Sequence, residues 1–311
     1  MRRFSSPSST RRFPWLSAFW KFARPHTVIG TSLSAVGLMI MALAHSHSSI
    51  PLLELAGTLA GVLLACLCGN LYIVGLNQLE DVAIDRVNKP HLPLASGEFT
   101  QRQGQIIVAV TGLLALGLSA GQGWFLIATV WSSLLIGTAY SLPPIRLKRF
   151  PVWAALCIFS VRGAIVNLGL FLHFNQRLGN PPQIPATVWV LTLFVVVFTV
   201  AIAIFKDIPD LEGDRRYQIS TFTVQLGAQT VFRLALGLLT VCYLGMLAAI
   251  FLPGLNLVWL GVSHLLLLGW LWWRSAQVDL GSKAEVARFY QLIWKLFFLE
   301  YLLFPLICLL G

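Results

Sequence analysis

The sequence predicts an all-α membrane protein with nine transmembrane helices. Of its 311 residues, 57% are hydrophobic and only 11% are charged, and the mean hydropathy is positive. Nine apolar runs are each close to the roughly 20 residues that a spanning helix needs. The net charge of +10 does not indicate a nucleic-acid partner, because the charges flank the apolar runs and form no basic face.

The nine runs follow one another with short connections. Gly121-Gln122-Gly123 separates the third run from the fourth, and Pro253-Gly254 separates the seventh from the eighth, so both pairs are predicted to form tight hairpins. An odd number of spans places the two termini on opposite sides of the membrane. The predicted spans are 28–44, 52–79, 105–120, 123–142, 152–174, 186–205, 231–252, 255–273 and 289–310.

The distribution of Lys and Arg predicts the orientation. Residues 1–25 hold six basic residues and no acid, which we interpret as a cytoplasmic tail preceding a single nine-helix domain, 26–311. The connections after the second, fourth, sixth and eighth runs hold three Lys or Arg each, whereas the opposite loops hold only Arg177. The positive-inside rule then places the N-terminus and these connections in the cytoplasm. The short N-terminal stretch favours a bacterial, cyanobacterial-type inner or thylakoid membrane.

Two acidic motifs follow the second and sixth runs, both on the predicted cytoplasmic side, and they contain seven of the twelve acids. The four-residue spacing of Asn77, Asp81 and Asp85 places these side chains on one face of a helix. Desolvated charges beside a membrane cost about 2.5–3.5 kcal/mol each. A bound divalent cation would remove their mutual repulsion, so the motifs predict Mg²⁺ and, through it, a diphosphate. The predicted carboxylate ligands are Asp81, Asp85, Asp207, Asp210 and Asp214.

A diphosphate also needs cationic donors, and basic residues lie on the same side. For Arg86 and Arg146 a purely topological role is an equal alternative. Arg162 lies inside the fifth run, where it either faces the diphosphate or pairs with a buried acid. The five cysteines are interpreted as small core residues. The candidate diphosphate-binding residues are Arg24, Arg86, Lys89, Tyr140, Arg146, Lys148, Lys206 and Arg215.

The two acidic motifs, NQLEDVAIDRVNKP and KDIPDLEGDRR, resemble the paired aspartate-rich motifs of the UbiA superfamily of intramembrane prenyltransferases. The resemblance extends over nearly the whole chain beyond the first twenty residues. Longer strings resemble the branch of that superfamily that prenylates homogentisate. They are RPHTVIGTSLS, GLNQLEDVAIDRVNKPHLPLASGEF, GTAYSLPPIRLKR, FKDIPDLEGDRR and FYQLIWKLFFLEY. Where the general family has Asn-Asp at the head of the first motif, this chain has Asn77-Gln78, and Gln78 is not counted as a ligand.

The resemblance implies a UbiA-type helical bundle with a central cavity open to the lipid. The residues carried over as catalytic and Mg²⁺-binding are Asn77, Asp81, Asp85, Asp210 and Asp214, with Asp207 as an additional acid. Arg24, Tyr140 and Lys148 would contact the diphosphate. The implied reaction transfers the phytyl group of phytyl diphosphate to homogentisate with decarboxylation, giving 2-methyl-6-phytyl-1,4-benzoquinol for tocopherol synthesis.

Three kinds of alternative remain open at the sequence level. The donor is alternatively geranylgeranyl or solanesyl diphosphate, which the depth of the cavity would decide. The enzyme is alternatively directed at chlorophyll or at 4-hydroxybenzoate. A protein of a different class, a divalent-cation transporter, would place its acids nearer the bilayer midplane than the ends of the spans.

Overall fold

The structure is a computed structural model that describes residues 14–46, 50–216 and 221–311. Within these ranges it contains nine helices long and apolar enough to cross a membrane, and no β-strand. The predicted fold class and the nine spans are therefore confirmed. Residues 1–13 of the predicted tail lie outside the described ranges.

The helices are numbered in chain order. They are α1 (Pro14–Phe22), α2 (Pro25–Ala44), α3 (Leu52–Glu80), α4 (Val82–Asn88), α5 (Pro93–Ser96), α6 (Gln101–Ala120), α7 (Trp124–Ser141), α8 (Pro151–Phe159), α9 (Val166–Arg177), α10 (Ala186–Phe205), α11 (Asp207–Arg216), α12 (Phe222–Leu226), α13 (Ala228–Ala248), α14 (Leu257–Ser275) and α15 (Lys283–Leu309). A π-helical stretch, Ser160–Ile165, joins α8 to α9 within the fifth span.

The bundle packs as pairs of neighbouring helices, chiefly α3 with α6, α2 with α15 and α10 with α13. Lipid offers no hydrophobic driving force between helices, so close backbone approach at small residues carries much of the packing. At Gly37 on α2, an added Cβ would lie 2.3 Å from the carbonyl oxygen of Tyr301 on α15. Only glycine permits this approach, and the two helices can therefore touch along their backbones.

Helix α1 lies within the predicted tail and packs against the bundle. Its Phe22 ring is fully buried beside Leu76 of α3 and Val108 of α6. The side-chain amide of Gln78 donates a hydrogen bond of 2.7 Å to the Phe22 carbonyl oxygen. The described part of the tail is thus a helix held on the end of α3 that carries the first acidic motif.

Both acidic motifs lie where a long helix gives way to a short one. Helix α3 ends at Glu80 and α4 begins at Val82, with Asp81 between them. Similarly, α10 ends at Phe205 and α11 begins at Asp207. The short helices α4 and α11 contact each other, which brings the two motifs together at one end of the bundle.

Candidate active site

A cavity of about 1220 Å³ opens between the spans and is lined by both acidic motifs. Twelve of the fourteen residues predicted for the site lie on its wall. These are Arg24, Asn77, Asp81, Asp85, Lys89, Tyr140, Arg146, Lys148, Lys206, Asp207, Asp210 and Asp214. Arg86 and Arg215 are exposed and lie outside this lining, so the structure does not bring them to the other candidates.

The first motif is not one continuous helix, because the helix is interrupted at Asp81. The backbone hydrogen bonds nevertheless continue across the interruption, from the Asp81 amide to the Asn77 carbonyl (3.1 Å) and from the Asp85 amide to the Asp81 carbonyl (2.8 Å). Each bond spans four residues, as in an α-helix. The three side chains therefore still line the cavity together, as their spacing predicts.

Asp81 is held between two basic side chains from the connection after α7. Arg146 Nη2 lies 3.1 Å from Asp81 Oδ1, and Lys148 Nζ lies 2.7 Å from Asp81 Oδ2. Burial lowers the pKa of Lys148, and the charge of Asp81 opposes that effect. The YSLPPIRLK segment thus delivers two cations directly to the first motif.

The two motifs are bridged by side chains that follow Asp85. Lys89 Nζ lies 2.6 Å from Asp210 Oδ2, and the amide of Asn88 donates a hydrogen bond of 3.3 Å to Asp214 Oδ1. Gly213 faces Asn88 so closely that an added Cβ would lie 1.7 Å from Asn88 Oδ1. Asn88 was missed by the sequence analysis, although its position seven residues after Asp81 marks it as the same helical face.

Three carboxylates of the site are charged at a cost. Burial raises the pKa of Asp85, with smaller opposing effects from Arg24 and Lys89. Burial likewise raises the pKa of Asp207 to about 6 and, together with neighbouring acids, that of Asp214 to about 6. Asp85 Oδ2 is buried with no hydrogen-bond partner, since Arg24 Nη2 is 3.9 Å away. An anionic oxygen left in this state is suited to a cation.

The donor set fits a cation that is shared with a ligand and does not fit a cage made by protein alone. Across the described ranges, no three His, Cys, Asp or Glu side chains converge on one point. Mg²⁺ commonly takes one or two carboxylates and completes its octahedron with water and phosphate oxygens. The facing carboxylates and the orphaned oxygen of Asp85 meet that requirement once a phosphorylated ligand supplies the remaining oxygens.

Two arginines on the cavity wall have a strained backbone. Arg24 (φ 51°) and Arg146 (φ 39°) are the non-glycine residues with positive φ in the described ranges. This conformation costs about 1–3 kcal/mol for a residue with a side chain, and such strain clusters at functional sites. Both arginines face carboxylates, Asp85 and Asp81 respectively.

An aromatic wall completes the cavity, and the sequence analysis missed it. Tyr290 and Trp294 line the cavity from α15, four residues apart, and the His26 ring lies 4.9 Å from that of Trp294. The spacing within FYQLIWKLFFLEY could have indicated this shared face. Asn70 also lines the cavity and donates a hydrogen bond of 3.0 Å to Thr27 Oγ1, so it both packs α3 on α2 and faces the site.

Within the described ranges, nine candidate spans and a cavity that joins two acidic motifs to basic side chains define a multi-pass membrane protein. The chain belongs to the UbiA prenyltransferase family, whose model matches residues 32–299. The predicted family and the predicted enzyme class, a prenyltransferase, are thereby confirmed, and membership favours them over a divalent-cation transporter.

Known proteins resemble the chain over most of its length. A homogentisate phytyltransferase from Synechocystis sp. is 57% identical over 296 residues, which cover 94% of this chain and 95% of the relative. A homogentisate solanesyltransferase from Arabidopsis thaliana is 40% identical and covers 93% and 76%. The structure of a UbiA homolog from Archaeoglobus fulgidus bound to GPP and Mg²⁺ superposes with a TM-score of 0.64 at 17% identity, covering 93% of this chain and 100% of that one. The last likeness concerns the fold alone.

Proposed function

We propose that the protein transfers the phytyl group of phytyl diphosphate to homogentisate with loss of carbon dioxide, giving 2-methyl-6-phytyl-1,4-benzoquinol. The observation that carries this proposal is the meeting of two acidic motifs and at least five basic side chains on one cavity at the end of a membrane bundle. The identity of 57% to a homogentisate phytyltransferase supports the choice of both substrates.

The carboxylates of the site divide into paired and unpaired groups. Asp81 and Asp210 are neutralised by Arg146, Lys148 and Lys89. These cations would turn to an incoming diphosphate, and the carboxylates would then be available to hold Mg²⁺. Asn77, Asp81, Asp85, Asp210 and Asp214 would hold the metal, with Asp207 beside them. Bound Mg²⁺ supplies positive charge to the diphosphate oxygens.

Basic side chains of this chain stabilise the leaving diphosphate. Lys148 and Arg146 approach from the connection after α7, and Arg24 approaches from the head of α2. Lys206 lies half-buried next to Asp207 in the chain, while Tyr140 offers a phenolic hydroxyl. Preorganised donors of this kind, in a pocket poor in water, stabilise charge that develops as the allylic C–O bond breaks.

The reaction balances without an external reductant or oxidant. A bond forms between the allylic carbon of the donor and the ring carbon of homogentisate ortho to a hydroxyl, and the allylic C–O bond breaks. The attacked ring carbon loses a proton. The carboxylate leaves as carbon dioxide, and the methylene carbon takes up one proton to become the methyl group.

The relatives supply a second donor to be tested. A relative that is named a homogentisate solanesyltransferase shares 40% identity, so a longer prenyl chain is the specific alternative. Such lipid donors would enter laterally from the membrane. We propose that this membrane is a cyanobacterial-type inner or thylakoid membrane and that the site faces its cytoplasmic side. Basic connections on that side support this orientation.

A competition assay tests the proposal. Protein in nanodiscs receives Mg²⁺, homogentisate and equal amounts of phytyl, geranylgeranyl and solanesyl diphosphate, with EDTA as the control. We expect phytylated, decarboxylated quinol as the main product, and none with EDTA. If solanesylated or geranylgeranylated quinol were the main product, the corresponding diphosphate would be the donor instead of phytyl diphosphate. Turnover in EDTA would overturn the role of the metal.

A further inference from the structure

The fifth span carries a cation in the middle of its length. Arg162 lies in the π-helical stretch Ser160–Ile165 and lines the same cavity as the acidic motifs. It follows Pro151, where the span begins, by eleven residues, or roughly 16 Å at 1.5 Å per residue. A charged side chain at this depth is costly and marks a functional position by default.

Arg162 has no acidic partner. All twelve Asp and Glu lie in the described ranges, and none forms an ion pair with this guanidinium. This differs from Arg24, Lys89, Arg146 and Lys148, each of which faces a carboxylate. Of the two roles that the sequence left open for Arg162, pairing with a buried acid is therefore excluded. The guanidinium remains free to bind a ligand.

Aromatic rings hold the guanidinium in place without using its N–H donors. Its central carbon lies 5.3 Å from the centre of the Trp294 ring and 5.8 Å from that of Phe297. Stacking on ring faces leaves the five in-plane donors available, and their fork matches a carboxylate. The surrounding π-helical stretch is fixed by Asn167, which donates to the Gly163 carbonyl oxygen (2.6 Å) and accepts from the Tyr301 hydroxyl (2.8 Å).

The position of Arg162 separates it from the diphosphate end of the cavity. Its Nη1 lies beside Gly30 of α2, where an added Cβ would be 2.9 Å away. Gly30 follows Arg24 by six residues, so the guanidinium lies roughly 9 Å deeper along α2 than the arginine that faces Asp85. A single-ring aromatic acid spans such a distance with its ring toward the allylic carbon and its carboxylate toward Arg162.

We propose that Arg162 binds the carboxylate of the aromatic acceptor, so that this residue selects an arylacetic acid over its uncharged analogues. The inference rests on the proposed function, because homogentisate is the acceptor named there. The geometry orients the acid deep in the cavity, while the cations near the acidic motifs take the diphosphate. Donor and acceptor are thereby recognised by two separate sets of positive charges.

The test compares homogentisate with its neutral amide, 2,5-dihydroxyphenylacetamide, in the full-length protein in nanodiscs. Binding is measured by calorimetry with each acceptor, and the KM for each substrate is measured by product formation. We expect Arg162→Met to weaken homogentisate binding about ten- to a hundredfold, as befits loss of charge-assisted hydrogen bonds. The KM for the prenyl diphosphate and the binding of the amide should stay unchanged, and Arg162→Lys should restore part of the preference for the acid.

Two further variants make the result specific. Gly30→Ala keeps the charge but pushes the guanidinium aside, and it should weaken homogentisate binding in the same direction. Arg274→Met is the matched control, since Arg274 also stacks on a tryptophan, Trp273 at 5.7 Å, but lies on α14 outside the cavity lining. This variant should leave homogentisate binding and the KM for both substrates unchanged.

The outcomes separate this inference from the proposed function. Equal binding of homogentisate by the wild type and Arg162→Met, or a rise in the KM for prenyl diphosphate alone, would overturn the role of Arg162. Binding of homogentisate that depends on Arg162 without any phytylated product would support the carboxylate site and overturn the proposed reaction.

Discussion

At the scale of single residues, the site contains ion pairs whose members could each bind a ligand of opposite charge instead. Asp81 and Asp210 are paired with basic side chains, while Asp85 keeps a buried oxygen without a hydrogen-bond partner. Breaking one partner out of a buried pair is costly because the other charge is left uncompensated. In the proposed site, loading a metal and a diphosphate together would avoid that cost, because each basic side chain would gain a phosphate as its carboxylate gained the metal.

Removing either paired aspartate tests this exchange. Asp81→Ala and Asp210→Ala should each lower product formation more than about a hundredfold, because loss of a metal ligand costs at least as much as loss of a residue supporting one. Thermal unfolding and gel filtration should show that the bundle stays folded. Retained wild-type turnover in either variant would contradict the assignment, and Glu212→Ala, on the exposed face of α11, serves as the control.

Lys148 should act on the donor alone. Lys148→Ala is expected to raise the KM for prenyl diphosphate about tenfold or more, since a hydrogen bond to a charged group contributes about 1.5–3 kcal/mol. The KM for homogentisate should stay the same in steady-state assays. Lys283→Ala, exposed at the start of α15, is the matched control. An unchanged KM and rate in Lys148→Ala would remove this residue from the site.

The raised pKa values predict a pH dependence of the metal-free protein. Asp207 and Asp214 have pKa values of about 6 in the fold, above their ordinary value of 3.8. The folded state therefore binds more protons than the unfolded state between these values, and the free energy of unfolding rises as the pH falls toward 4. The change in unfolding temperature between pH 7.5 and pH 5 is measured by calorimetry for the metal-free wild type and for the double variant Asp207→Asn, Asp214→Asn. Lowering the pH should raise the unfolding temperature of the wild type relative to that of the variant.

Added Mg²⁺ should stabilise the fold more at the higher pH, opposite to the pH dependence of the metal-free protein. Since a metal needs deprotonated ligands, Mg²⁺ should raise the unfolding temperature of the wild type more at pH 7.5 than at pH 5. If the shift caused by Mg²⁺ were equal at both values, or equal in the double variant, the two carboxylates would not be linked to the metal.

At the scale of helices, the site depends on the contact between α4 and α11. These short helices end two separate spans, and Gly213 allows the Asn88 amide to approach α11 and reach Asp214. Asn88 and Lys89 thus join two motifs more than a hundred residues apart, and Gly213 leaves the space that Asn88 needs. We therefore expect the affinity of the site for Mg²⁺ to depend on the contact between α4 and α11 as well as on the acids.

Gly213→Ala should separate the motifs without unfolding the bundle. The added Cβ would lie 1.7 Å from Asn88 Oδ1, so α4 or α11 must shift. We expect product formation to fall about tenfold or more, as small displacements of a positioned site do, and the Mg²⁺ needed for half-maximal rate to rise. Gly237→Ala on α13 is the matched control, because its Cβ would meet nothing within 4 Å. Unchanged Mg²⁺ dependence in Gly213→Ala would mean that the two motifs act independently.

At the scale of the whole molecule, the nine candidate spans of the described ranges would place Pro14 and Gly311 on opposite sides of a membrane. The basic connections, both acidic motifs and the docked helix α1 would then share one side. This arrangement lets a lipid donor stay in the membrane while its diphosphate meets the site at the surface. The apolar prenyl chain would thus lie among the spans, and the diphosphate would lie at the membrane surface.

Cysteine labelling in intact cells tests this orientation. The five native cysteines lie in the spans, three of them buried. Gln183→Cys, exposed in the connection before α10, should react with a membrane-impermeant maleimide, whereas Gln101→Cys, exposed at the start of α6, should react only after permeabilisation. The reverse pattern would invert the topology. A label on both sides in intact cells would contradict nine spans.

The sequence alone predicted the nine spans of the described ranges and twelve residues that the structure brings to one cavity. Apolar runs near 20 residues mark spanning helices because lipid requires every backbone hydrogen bond to be made within the segment. Four-residue spacing placed Asn77, Asp81 and Asp85 on one face, and this survived the interruption of the helix at Asp81 because the backbone hydrogen bonds continue across it.

Only the tertiary structure decided which distant residues meet. The sequence treated Arg86 and Arg146 alike, yet one is exposed and the other contacts Asp81. Asn88, His26 and Trp294 join the site through contacts between separate helices, and Arg162 meets no acid because the twelve acids fold elsewhere. Spacing along one helix fixes which side chains share a face, but contacts between helices depend on how the faces pack, which no local pattern encodes.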